Sequence, residues 1–198
     1  MTEKPVIEIS GVSRLYPLGS GNFRALSDID LTISGGEFTG IIGPSGSGKT
    51  TLLNIIGSLD APSEGEVTVL GRKVHELNGQ GAAQLRRDEL GFIFQTYNLL
   101  PVYTVYENVE FPLLLIQMDR QQRREAVMDT LERVGLADRH GSRPAQLSGG
   151  ECQRVAIARA MVKRPNLVAL RRELLFKYRP KLCRSGRTHP LYVAIGRF

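Results

Sequence analysis

The segment Gly43-Pro44-Ser45-Gly46-Ser47-Gly48-Lys49-Thr50 constrains this chain more than any other. It fits the spacing G-x-x-x-x-G-K-[ST] and sits between two elements of different periodicity. Before it, Glu37-Phe38-Thr39-Gly40-Ile41-Ile42 reads as a short, nearly all-apolar strand, the pattern of a buried sheet. After it, Lys49 to Leu59 sets Leu52, Leu53, Ile55, Ile56 and Leu59 for a buried helix. Glycines let backbone N–H groups converge on phosphate oxygens with no Cβ in the way. The helix N-terminus adds the positive end of its dipole. Lys49 has the reach for β- and γ-phosphates, and the Thr50 hydroxyl suits a Mg²⁺ ion. A plain glycine-rich turn is the bland alternative, and eight matched positions in the right context tell against it. Strand, phosphate loop and helix in this order point to an α/β fold with a parallel sheet.

Around this loop the 198 residues are long enough for one domain with a core, perhaps extended by a small subdomain. With 41% hydrophobic and 23% charged residues, the composition excludes a disordered or collagen-like chain. No apolar run approaches the roughly 18 residues that span a bilayer. Met1-Thr2-Glu3-Lys4-Pro5 lacks the layout of a secretion signal. Cys152 and Cys183 suggest no disulfide framework and fit a reducing compartment. Strands are predicted at Val6–Ser10, Ala25–Ile33, Gly65–Gly71 and Gly91–Phe94, and another from Leu167. A helix is expected over Gln84–Leu90. Thr104 and Glu107 have capping-box spacing, and Pro112 predicts a break in the helix they open. Asp119 to Val134 is expected to form an amphipathic helix closed by Gly135.

Three further places carry weaker signals. Gln95 ends the Phe92-Ile93-Phe94 strand, where a carboxamide would bind a metal-associated or attacking water; alone, it reads as a surface glutamine. Tyr16 follows the first strand, and its ring would suit purine stacking, although a half-buried loop tyrosine is the commoner case. In Leu147-Ser148-Gly149-Gly150-Glu151, Ser148 and Glu151 form a second capping-box pair. The glycines in the first helical turn cost about 1 kcal/mol each relative to alanine. Such a cost makes sense where a phosphate must approach the backbone; the spacing by itself leaves both readings open.

Taken together, from about Val6 to Val168, these motifs resemble the nucleotide-binding domain of an ABC transporter. Gly43–Thr51 matches the Walker A loop, Gln95 the Q-loop and Leu147–Glu151 the LSGG signature, followed by Gln153-Arg154-Val155-Ala156-Ile157-Ala158-Arg159-Ala160. Tyr16 falls at the adenine-stacking position. Asn98-Leu99-Leu100-Pro101 and Thr104–Val109 are similar to the lipoprotein-releasing and macrolide-export branch. The resemblance implies a P-loop NTPase core with a parallel sheet, a small antiparallel β subdomain, and a helical subdomain at about 96–150. It implies ATP and Mg²⁺ as cofactors, with Thr50 and Gln95 toward the metal. ATP would be sandwiched in a homodimer, between one protomer's Walker A loop and the other's Ser148, Gly149 and Gly150. The segment from Gln95 to about Leu115 would grip a membrane-spanning permease, placing the chain in the cytoplasm at the inner face of the membrane.

Beyond Val168 the pattern fails, which makes 1–168 the expected ATP-binding domain and leaves the core incomplete at its C-terminal end. The family has four apolar residues followed by Asp and Glu; here Leu167-Val168-Ala169-Leu170 leads into Arg171 and Arg172. A guanidinium neither ligates a metal nor accepts a proton. No D-loop follows, and Thr188-His189-Pro190 does not match the switch-histidine segment. Residues 169–198 hold eight Lys/Arg and one acid, Glu173, while 1–168 carries 18 basic and 19 acidic residues. The net charge of +6 therefore belongs to the tail, as a frameshifted end would produce, although a divergent surface extension is the bland reading. Within the tail, Leu191–Ile195 has the composition of a strand. The expected function is ATP binding that drives export or lipoprotein release, with hydrolysis impaired. The alternative is a regulatory protein holding ATP as a structural ligand. Nucleic acid is not expected as a partner, because the basic tail has no aromatic platform beyond Phe176 and Tyr178.

Overall fold

A computed structural model describes residues 5–94, 96–171 and 191–195. In chain order the strands are β1 (Pro5–Leu18), β2 (Gly21–Ser34), β3 (Phe38–Gly40), β4 (Glu64–Val69), β5 (Arg72–Lys73), β6 (Leu90–Ile93), β7 (Leu167–Arg171) and β8 (Leu191–Ile195). The α-helices are α1 (Lys49–Ile56), α2 (Gly79–Asp88), α3 (Val105–Glu110), α4 (Arg120–Arg133) and α5 (Gly149–Met161). The molecule is an α/β protein, and its described strands form two four-stranded sheets. One is antiparallel, in the order β2-β1-β4-β5, and the other is parallel, in the order β3-β8-β7-β6.

β7 lies between β6 and β8, and Leu167, Val168, Ala169 and Leu170 are all buried. β8 is the strand anticipated in the tail, running parallel to both β3 and β7. β3 differs from expectation. Only Phe38–Gly40 is strand, and Phe38 and Ile42 are exposed. The reason is its place at the end of the sheet, where β8 is its single neighbour among the described residues.

Two principal cores divide the molecule. The larger joins the antiparallel sheet to α1 and β7, around Ile7, Ile33, Ile55, Ile56, Val67 and Leu167. The other is built by α3, α4 and α5 around Val105, Val109, Leu113, Leu131 and Val155. The helices start where their caps dictate. Thr104 and Ser148 close full capping boxes with Glu107 and Glu151. Asp119 does the same with Gln122, a D-x-x-Q signal. α3 stops at Glu110 and continues as a 3₁₀ turn over Phe111–Leu115, because Pro112 cannot donate to an α-helical ladder. Gly135, at φ 67°, ends α4 in the left-handed conformation. α2 begins well before the expected Gln84, since Asn78 accepts from the Gly81 N–H and caps a first turn weak in helix formers.

Candidate functional site

Residues 41–48 run from β3 to α1, and Gly46 and Gly48 are fixed there by backbone constraints. Gly46 has φ 83°, a conformation that L-residues rarely adopt. Gly48 has φ 84°, and a Cβ there would lie 2.4 Å from the Ala25 carbonyl oxygen. A Cβ on Gly43 would meet Ser47 Oγ at 2.8 Å. The loop turns through a Ser47 N–H bond to the Pro44 carbonyl. Pro44, Ser45, Gly46 and Ser47 are exposed, and Lys49, Thr50 and Thr51 are half-buried.

The start of α1 is chemically distinctive. Gly48 caps it with no side chain, and its first turn contains no acid. The other four α-helices each have a side-chain N-cap, from Asn78, Thr104, Asp119 and Ser148. α1 thus presents its leading N–H groups without a side-chain acceptor. The Lys49 ammonium lies over the same loop, donating to the Gly43 carbonyl at 2.7 Å, the Pro44 carbonyl at 2.6 Å and Ser47 Oγ at 3.0 Å. Backbone donors, a helix dipole and a fixed cation converge there, which is what an oxyanion requires.

At the N-terminus of α5 the arrangement is reversed. The Ser148 hydroxyl accepts from the Glu151 N–H, and the Glu151 carboxylate accepts from both the N–H and the hydroxyl of Ser148. Those bonds, led by the one from the Ser148 backbone, hold the Glu151 carboxyl below the usual glutamate range. Gly149 and Gly150 carry no positive φ, and a Cβ on either would have its nearest neighbour at 3.6 or 3.9 Å. Nothing packed inside the chain requires glycine at those two positions.

Tyr16 is not in a loop. It lies in β1 opposite Phe23, because the β1–β2 hairpin extends to Gly21. Its hydroxyl donates to Asp60 at 2.7 Å, and the Arg14 guanidinium sits 4.6 Å from its ring centre. Arg14 in turn pairs with Asp60 through both carboxylate oxygens. Gln95 lies outside the described residues. The chain just after it is left-handed at Tyr97 and Asn98, whose carbonyls accept from Arg159 of α5 at 2.6 Å each. Sequence reasoning missed this clamp, which joins residues 61 and 62 positions apart. Arg159 also borders an apolar groove of about 540 Å³ between β6 and the Phe111–Leu115 turn, with Phe92, Phe94, Leu100, Phe111 and Leu115 in its walls. Toward a metal ion, the described residues offer no group of three or more His, Cys, Asp or Glu side chains.

Residues 26–170 match the ABC transporter family. The chain belongs to that family. Its match ends at Leu170, two residues past the point where the charge balance changes. Curated relatives include the macrolide export ATP-binding/permease protein MacB 1/2 of Paracoccus denitrificans, 52% identical over 161 residues, which are 81% of this chain and 24% of the relative. MacB of Sodalis glossinidius is 50% identical over 158 residues, 80% of this chain and 24% of that one. The chain thus spans about a quarter of the length of these relatives. Among solved structures, a dimeric post-hydrolysis state of the ATP-binding cassette MJ0796 bound to ADP and Pi superposes with a TM-score of 0.81. The identity is 35%, covering 96% of this chain and 87% of that one. A second dimeric structure of MJ0796, a bacterial ABC transporter cassette, gives 0.77 at 42% identity, over 84% and 73% of the two chains. Among the described residues, no helix is long and apolar enough to cross a membrane.

Proposed function

We propose that this ABC cassette binds ATP for a macrolide-export-type transporter and hydrolyses it poorly. The observation that carries the reading is the start of α1, uncapped by any side chain, with the Lys49 ammonium held over it by two carbonyls. Gly43, Pro44, Ser45, Gly46, Ser47, Gly48, Lys49, Thr50 and Thr51 would wrap the triphosphate. Lys49 would exchange its bond to Ser47 for one to a phosphate oxygen. Tyr16 would stack on the base through the ring face away from Arg14. A Mg²⁺ ion would supply charge neutralisation of the phosphates when bound. In this chain Thr50 would be a ligand for it, with Gln95 as the expected second. Arg171 and Arg172 follow the apolar run Leu167-Val168-Ala169-Leu170 where the family pattern has acids, so that stretch would not supply the groups that orient water.

Ser148, Gly149 and Gly150 would face ATP bound to a second copy. The absence of any internal reason for the two glycines supports this, since room is left for something outside the chain. The groove beside Arg159 would receive a cytoplasmic segment of the permease, an interface that holds the chain at the membrane. Residues 1–168, with a helical part at about 96–150, would be the working domain.

The test is equilibrium binding of a fluorescent ATP analogue, together with phosphate release. The wild-type chain should bind, Lys49→Ala should lose at least tenfold in affinity while melting as before, and turnover should stay near background. A turnover rate like that of acid-containing cassettes, abolished by Lys49→Ala, would refute the hydrolysis reading. Undiminished binding by Lys49→Ala would refute the site.

A further inference from the structure

A second groove, of about 530 Å³, lies on the far side of the Phe111–Leu115 turn from the one described above. Phe111, Pro112 and Leu115 line the first groove, and Leu114 lines the second. Its walls are two helical stripes with four-residue spacing. Tyr106, Glu110 and Leu114 form one, and Arg120, Arg124 and Met128 the other, with His140 completing the lining. Arg123 joins the walls, donating to Glu110 at 3.1 Å and to the Met118 carbonyl at 2.7 Å. That pair consumes the groove's one carboxylate. Arg120 and Arg124 are exposed, and neither enters an ion pair among the described residues. Leu114 is 55% exposed beside them.

Two adjacent guanidiniums with no carboxylate, above an apolar floor, are an incomplete interaction. Their spacing specifies what completes it. Residues four apart on a helix are separated by about 6 Å along its axis. Two carboxylates at the same separation are presented by a helix with acids one turn apart. The floor of Leu114 and Met128 asks for apolar residues flanking those acids. Arginine favours such pairing because its planar fork binds carboxylate through two parallel hydrogen bonds. The geometry points to a docking site for an amphipathic helix of a partner protein, with two acidic residues one turn apart set against Arg120 and Arg124. This site does not depend on nucleotide binding or on the permease groove.

The probe is a fluorescently labelled, helix-forming 14-residue peptide with Glu at two positions one turn apart and Leu one turn to either side. It is titrated against the full chain. Its affinity should exceed that of the Gln counterpart at least tenfold. The double variant Arg120→Glu/Arg124→Glu should lose at least tenfold, and a Lys-containing peptide should regain binding to that variant. Arg72→Glu/Arg164→Glu makes the same change in net charge elsewhere and should leave binding intact. Both variants alter side chains outside the cores, and melting curves check that they fold. Equal binding of the Glu and Gln peptides would overturn the proposal. So would equal weakening by the two double variants, which means general electrostatics. Phosphatidylglycerol vesicles that bind with the same arginine dependence, while the peptide does not, would assign the groove to a membrane surface instead.

Discussion

Gly48 and Gly150 carry the same residue for opposite reasons, and substitution separates them. Gly48 is left-handed, and a methyl group would meet the Ala25 carbonyl. Gly48→Ala should therefore destabilise the chain by at least about 2 kcal/mol, combining the left-handed penalty with the clash. Gly150 is helical with open space around it. Gly150→Ala should leave stability unchanged or raise it by up to about 1 kcal/mol, yet weaken any ATP-dependent dimerisation. Denaturant melts and sedimentation with ATP measure the two effects. A third residue carries a pH signature. Lys163 donates to the Arg86 and Arg87 carbonyls at the end of α2, and burial pulls it from 10.5 down to about 8. The folded chain releases this proton before the unfolded chain does. Stability contributed through Lys163 therefore rises between about pH 8 and 10.5. Urea midpoints should show that rise in the wild type and lose it in Lys163→Met.

At the scale of elements, what the sequence made legible was local. Thr104 with Glu107 and Ser148 with Glu151 could be read because a capping box lies within four residues. Pro112 and Gly135 acted where they stood. The phosphate loop was readable for the same reason, since eight consecutive residues set its backbone. What escaped was long-range or propensity-poor. The two glycines at the start of α2 concealed that helix until Asn78 was seen to cap it. Nothing near Tyr16 announces Asp60, 44 residues away, and nothing near Tyr97 announces Arg159. The capping boxes also set the acid response. Backbone and hydroxyl bonds from Thr104 and Ser148 hold Glu107 and Glu151 below their usual value. Their stabilisation is complete above about pH 4.5 and is lost as pH falls through the lowered folded values. In Ser148→Ala, α5 should lose about 1 kcal/mol at neutral pH. Its stability should also fall less on acidification than that of the wild type, as read by helix signal against pH.

For the whole molecule, the decisive connection is the one that composition made least expected. The tail beyond Leu170 departs from the rest in charge and lies outside the family match, yet one stretch of it lies inside the parallel sheet. Among the described residues, β3 has no neighbour in that sheet except β8. Thr39 pairs with Val193, and Val193 pairs onward with Ala169. The phosphate loop leaves directly from the end of β3. Its link to β7 and β6 within the sheet therefore runs through five residues of a segment that otherwise looks foreign. Interior strands are intolerant of proline, which removes a ladder donor and clashes with the pleat. Val193→Pro should therefore cost about 3 kcal/mol or more, loosen β3, and weaken ATP-analogue binding although every loop residue is retained. The same change at Val102, in an exposed turn outside both sheets, should do neither. If the Val193 variant melts and binds like the wild type, the phosphate loop does not depend on the tail strand, and the tail is dispensable to the fold.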